Sequence, residues 1–162
     1  MEREDIISGK KILIVDDEPD VLDTLEDLLP MASVERASDY QGAKALLESR
    51  PFDLAILDIM GVQGYDLLEI CSRENLTTVM LTAYALTPED VKKSITGGAS
   101  YYLPKEEMVN IASFLADILE AKAHGKSTWE GWYGRLASFC EKKFGPGWQK
   151  KDKEFWERFP FY

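Results

Sequence analysis

Cysteine and histidine are nearly absent from this chain: of 162 residues only Cys71 and Cys140 are cysteines, and His124 is the single histidine. Neither cysteine sits in a CxxC pair, so zinc and disulfide frameworks are both unsupported, and the thiols read as small buried apolar groups. Long apolar runs are missing as well, and none approaches the ~18 residues that a membrane-spanning helix requires. The opening MEREDIISGKK carries acids and no apolar stretch of signal length, from which we expect a cytoplasmic protein. Basic residues are in deficit. With 19 Lys and Arg against 29 Asp and Glu, the net charge of −10 excludes a chain-wide electrostatic grip on nucleic acid or on an anionic membrane.

What is present is ordinary globular material, 45% hydrophobic and 30% charged, enough for one core and a small appendage. It is unevenly spread. Residues 1–124 hold 11 basic and 24 acidic residues with 7 of 18 aromatics, whereas residues 125–162 hold 8 basic, 5 acidic and 11 aromatics, including all four tryptophans. The segments carry −13 and +3, and we place a domain boundary between residues 124 and 125.

Up to that boundary, short apolar runs alternate with amphipathic stretches, the pattern of strand–helix units around a parallel sheet. KILIV at 11–15 is too short for a helix and apolar almost throughout, as a strand buried on both faces should be. It ends in Asp16-Asp17-Glu18, and Pro19 opens a helix with Val21, Leu22, Leu25, Leu28 and Leu29 at helical spacing. A second strand at 33–36 is weakly marked; Ser38 is the expected N-cap of the next helix, and DLAIL at 53–57 is a third strand ending in Asp58. Gly61 and Gly64 interrupt the chain before a third helix. TTVML at 77–81 ends at Thr82, Thr87-Pro88 caps a fourth helix that stops at Gly97-Gly98, and ASYYL at 99–103 leads to Lys105. A fifth helix is expected over 106–122, with Val109, Ile111, Ala112, Leu115, Ile118 and Leu119 on its apolar face.

A doubly wound sheet binds ligands beyond the carboxyl ends of its strands, and there the polar residues fall: Asp16 and Asp17, Asp58, Thr82 and Lys105. Three carboxylates in one small pocket repel one another. A hard divalent cation is the usual remedy, and magnesium takes one or two carboxylates while leaving positions for water and phosphate oxygens. The hydroxyl of Thr82 and the ammonium of Lys105 suit the remaining oxygens of one phosphoryl group.

This constellation resembles the receiver domain of two-component response regulators, over about residues 10–123. The resemblance implies a flavodoxin-like sheet in the order 2-1-3-4-5 and a protein phosphorylated on Asp58 by a partner histidine kinase or phosphotransfer protein. By the same resemblance Mg2+ or Mn2+ is held by Asp16, Asp17, Asp58 and the backbone carbonyl of Met60, with Asp17 a direct ligand and Asp16 acting through water. Thr82 and Lys105 contact the phosphoryl group, and Tyr102 is the aromatic that turns when the hydroxyl moves, although Tyr101 competes for that role. Met60 and Tyr84 flank the path of hydrolytic water and set the phosphoryl lifetime. The chain is then not an enzyme but a phosphoacceptor, with only its own phosphorylation and dephosphorylation chemistry. The alternative is a pseudo-receiver, an interaction module with the pocket but no phosphate turnover. A haloacid-dehalogenase-type phosphatase wants a second aspartate two residues after the nucleophile, where this chain has Met60.

The sequence departs from that family at two loops. Glu106 follows Lys105 where proline is usual and Pro104 precedes it; after Asp58, Val62 and Asp66 stand where the family has proline and glycine, so the loop is expected to be remodelled. In the extension, Trp129, Trp132, Tyr133, Leu136, Phe139, Cys140 and Phe144 recur at three- and four-residue steps, predicting a helix over 128–144 in which Gly131 and Gly134 permit close packing on another helix. Gly145-Pro146-Gly147 ends it, and Trp148, Phe155, Trp156 and Phe159 point to a second helix. Thirty-eight residues are too few for a DNA-binding output domain, so output through protein contacts is expected. The aromatic face is expected to pack on the chain's own receiver, or to join a homodimer or another partner, either through the extension or through the face of helix 4, strand 5 and helix 5, with a membrane surface or single-stranded nucleic acid, bound through the aromatics and lysines, as the remaining alternative.

Overall fold

The computed structural model describes residues 3–83 and 87–158. Five parallel strands form one sheet: β1 (Lys11–Val15), β2 (Ser33–Ala37), β3 (Leu54–Asp58), β4 (Thr77–Thr82) and β5 (Tyr101–Pro104), in the order β2-β1-β3-β4-β5. The crossovers are α1 (Pro19–Leu28), α2 (Tyr40–Ser49), α3 (Gly64–Arg73) and α4 (Pro88–Thr96), and α5 (Ile111–Ala123) returns to pack against α1. This is the doubly wound α/β architecture, with β3 and β4 buried along their whole length because helices cover both faces. Its register sets Asp58 beside Leu81 and Thr82 beside Pro104, so the ends of β3, β4 and β5 lie level.

Local departures from the sequence reading have local causes. The N-cap of α2 is Asp39, not Ser38: its carboxylate accepts from the Gly42 N–H at 2.7 Å. The stretch expected to begin the fifth helix is a 3-10 turn, Lys105–Asn110, and Val109 is 69% exposed rather than on the apolar face, since tighter winding turns it outward. A second 3-10 turn, Arg3–Ile7, packs on α5 and buries Ile7.

Beyond α5 the chain turns at Gly125 and forms α6 (Thr128–Phe144), a 3-10 turn at Trp148–Asp152, and a short α7 (Lys153–Glu157); Phe159 lies outside the described residues. Trp129, Trp132, Leu136 and Cys140 make the buried stripe of α6, which packs against β5 and α5. β5 is an edge strand, and two indoles cap it: Trp129 Nε1 donates to the Ala99 carbonyl at 3.0 Å and Trp132 Nε1 to the Tyr102 carbonyl at 2.7 Å. The rings of Tyr101 and Trp129 stack with centroids 6.4 Å apart, and Trp132 meets Trp129 edge-on at 5.3 Å. Around this apolar centre run charged contacts: Arg135 to Asp117 at 2.6 Å, Lys143 to Glu106 at 3.2 Å, and Lys92 of α4 to Asp152.

The two glycines of α6 do not serve close packing. A Cβ built on Gly131 or Gly134 meets nothing within 4 Å, so each is an entropic cost with no structural return. Gly134→Ala should therefore raise stability by about 0.5–1 kcal/mol, while Leu136→Ala, at a 3% exposed position, should lower it by about 2–5 kcal/mol; chemical denaturation of the full chain reads both.

Candidate functional site

The acids that follow β1 and end β3 meet the lysine that follows β5. Asp16 is fully buried; its Oδ1 accepts from the Glu18 N–H at 2.9 Å, and its Oδ2 faces the Lys105 ammonium at 2.9 Å. The same ammonium lies 3.5 Å from Asp58 Oδ1 and 3.4 Å from Glu18 Oε1. Asp58 is 4% exposed, so water does little to separate these charges. Burial pushes its carboxyl up to about 7; Asp16 and Asp17 add to the rise, and Lys105 opposes it. Burial also raises Asp16 against the pull of Lys105. For Lys105 burial alone would lower the pKa, but Asp16, Asp58 and Glu18 outweigh it and the net shift is upward.

Asp17 and Glu18 are exposed at the rim, where carboxylate oxygens of Asp16, Asp17 and Glu18 come within 4.8 Å of one another. That set is all oxygen, as a hard divalent cation requires, and its inner member, Asp16, is fully buried with one carboxylate oxygen ion-paired to Lys105. The residues therefore fit a magnesium-like ion. Glu18 is a member that the sequence reading passed over, although it is the third acid in an unbroken run. Met60, in the turn after Asp58, has a 65% exposed side chain.

Two glycines allow the close approach. Gly61 has φ +85°, and a Cβ there would fall 2.6 Å from Asp17 Cγ, so the Asp17 carboxylate rests directly on the turn after β3. Gly64, first residue of α3, would put a Cβ 2.7 Å from Ile59 Cα. The turn between them is tight: Gly64 N–H donates to the Ile59 carbonyl at 3.1 Å, Val62 is buried, and Gln63 takes the left-handed conformation at φ 54°. Strain of this kind gathers where a turn must aim functional groups.

Thr82 is 2% exposed and its hydroxyl has no hydrogen-bond partner among the described residues. Tyr102 is fully buried on the side of Thr82, Tyr65 and Asp90, and burial first, then Asp90 and Tyr65, drives its phenol upward while Thr82 opposes. Tyr101 points the other way, toward Phe114 and Trp129. Tyr84 lies outside the described residues. A groove of about 580 Å³ between α3 and α4 contains none of the acid pocket and is a separate feature.

The charge balance has a measurable sign. A carboxyl whose folded pKa lies near 7 instead of 3.8 binds its proton more tightly when folded, so stability falls as pH rises through that window. Asp58→Asn should therefore stabilise the metal-free chain by up to about 4 kcal/mol near pH 8, with the gain closing as the pH is lowered to about 4; denaturation at several pH values measures it.

A profile of the response regulator receiver domain matches residues 12–115. The chain is 37% identical over 114 residues to the two-component response regulator ARR12 of Arabidopsis thaliana, a match covering 64% of this chain and 19% of that protein. It is 38% identical over 121 residues to the two-component response regulator ORR22 of Oryza sativa subsp. indica, covering 68% and 17%. The chain thus spans less than a fifth of the length of these relatives. Among solved structures, a CheY-like response regulator receiver domain protein from Methanospirillum hungatei is 30% identical with a TM-score of 0.60, over 71% of this chain and 99% of that one. A response regulator from Thermotoga maritima, 19% identical, shares the fold with a TM-score of 0.63 over 69% and 98%. With the sheet order, the acid pocket and the matched segment in agreement, this chain belongs to the response regulator receiver domain family of two-component systems.

Proposed function

We propose that the chain is a phosphorylation-switched signalling module in which Asp58 accepts a phosphoryl group from the phosphohistidine of a partner kinase or phosphotransfer protein. The observation that carries this reading is the Lys105 ammonium standing 3.5 Å from Asp58 and 2.9 Å from Asp16, one cation shared by carboxylates that are otherwise buried. Asp58 Oδ attacks phosphorus in line with the leaving group; the new O–P bond forms as the P–N bond breaks, and the nitrogen keeps the electron pair as neutral imidazole. Lys105 pairs with the incoming negative charge, and the buried hydroxyl of Thr82, at the end of β4, can donate to a phosphoryl oxygen. Magnesium, held by Asp17 directly, by Asp16 through water, and by Asp58 and the carbonyl of Met60, would supply the positive charge that offsets the gathering phosphoryl oxygens. No other substrate is turned over. The chain serves as acceptor, and its output is a change in protein contacts.

Incubation with acetyl phosphate and magnesium, followed by intact mass, should show the gain of one phosphoryl group, absent in Asp58→Ala. An unchanged mass would instead support the pseudo-receiver reading. Magnesium should raise the melting temperature by mass action, and Asp17→Asn should blunt that rise more than Asp16→Asn; equal losses would overturn the assignment of direct and water-mediated ligands. Phospho-Asp58 should outlast the same group in Met60→Asn, because the parent side chain has no amide to position a hydrolytic water.

A further inference from the structure

The pocket and the extension share one short piece of chain. Residues 102–106 carry Lys105, which faces Asp58, and also two attachment points of α6: the Tyr102 carbonyl, which accepts from Trp132 Nε1 at 2.7 Å, and Glu106, which pairs with Lys143 at 3.2 Å. Between these two points stands the lysine whose ammonium is divided among Asp16, Asp58 and Glu18. Cys140 of α6 is close enough to the Tyr102 phenol to act on its ionisation, and Tyr102 stands in the same relation to Thr82. A change of charge at Asp58 and a change of position in α6 therefore act on the same backbone.

We infer that docking of the extension α6–α7 on β5 and the phosphoryl state of Asp58 are two ends of one equilibrium, with α6–α7 a cover on the sheet edge that phosphorylation loosens. The inference rests on Asp58 being the phosphoacceptor. Its direction follows from charge. A phosphoryl group brings roughly −1.5 to −2 charges to a lysine already 3.5 Å away, drawing Lys105 and its neighbours toward the end of β3. The Glu106 carboxylate and the Tyr102 carbonyl then leave the positions at which Lys143 and Trp132 meet them. What is uncovered is the outer edge of β5, with the Ala99 and Tyr102 carbonyls that the two indoles had engaged, flanked by the rings of Tyr101 and Phe114. Such an edge is suited to another polypeptide that can replace the indole donors.

The two cysteines report this equilibrium in the intact chain. Cys140 is 2% exposed beneath α6 and burial pushes its thiol up to about 12; Cys71 is fully buried in α3 and pushed up to about 11, also by burial. Neither thiol reacts while covered. Cys140 needs only undocking, whereas Cys71 needs the receiver itself to open, so the ratio of their alkylation rates separates docking from global stability. Iodoacetamide labelling with site-resolved mass spectrometry, before and after treatment with acetyl phosphate and magnesium, should show that ratio rise about five-fold or more, the lower end of ordinary couplings. Lys143→Ala and Trp132→Phe should raise the ratio before phosphorylation. By reciprocity both variants should bind beryllofluoride with magnesium more tightly than the parent, by at most the factor that the parent's ratio gains on phosphorylation. A gain of one phosphoryl group with an unchanged or lowered ratio overturns the coupling and leaves the phosphoacceptor reading intact. No gain in mass overturns both.

Discussion

One ammonium among buried carboxylates is the constraint around which the pocket is built. At 4 Å two like charges repel by about 4 kcal/mol at an effective dielectric of 20, and Asp16 and Asp58 are 0% and 4% exposed. Lys105 reaches both because β1, β3 and β5 end at one level of the sheet. The level is held by the apolar strands beneath, where Ile12 to Ile14, Leu54 to Leu57 and Val79 to Leu81 are fully covered by helices. Burial of that apolar surface holds the acids together against their repulsion, and the repulsion that remains is what a bound cation can relieve. The raised carboxyl of Asp58 shows the same balance from the other side: the site is poised for a partner at the expense of stability in its absence.

The extension solves a different problem. Two helices and a 3-10 turn are too few residues to enclose a core, and an edge strand leaves backbone groups without partners. Each supplies what the other lacks. The stripe of Trp129, Trp132, Leu136 and Cys140 is buried against β5 and α5, and the indole N–H groups take up edge carbonyls that would otherwise need water. The fit is incomplete at one atom, since the Tyr101 hydroxyl is buried without a hydrogen-bond partner among the described residues. An orphan of that kind costs about 1–3 kcal/mol, so the interface is held by apolar contact in spite of it.

The site was legible in the sequence because each functional side chain follows a strand buried on both faces, and such strands are continuous apolar runs that stop abruptly at Asp16, Asp58 and Thr82. β2 was faint for the converse reason: as an edge strand it buries only Ala37 well and carries the Glu35–Arg50 and Arg36–Asp23 ion pairs. Short-range choices were the least legible. Ser38 and Asp39 are both competent caps, and composition alone does not tell which one meets the Gly42 N–H, as Asp39 does. The 3-10 winding of Lys105–Asn110 leaves no periodic mark, so Val109 read as core. Gly131 and Gly134 look like packing glycines in any helical projection, and their outward aim depends on which stripe the receiver takes. Glu18 was visible as a letter but not as a participant, because its link to Lys105 spans the distance between β1 and β5.

Charge alone does not explain where the extension sits. The opposite net charges of the two segments favour association, yet the pairs that cross the interface lie toward its rim: Arg135 and Asp117 are 34% and 24% exposed, Lys143 and Glu106 46% and 59%, and Lys92 and Asp152 43% and 36%. Exposed pairs contribute about 0–1 kcal/mol each and weaken with salt. The buried indoles carry the affinity, and their hydrogen bonds to two particular carbonyls fix the register of α6 along β5. The rim pairs then act less as adhesive than as sensors, since the one nearest the pocket joins α6 to the residue following Lys105. A contact weak enough to break and placed beside the acceptor lysine is better suited to respond to the pocket than a strong one would be, while the apolar stripe keeps the resting state closed.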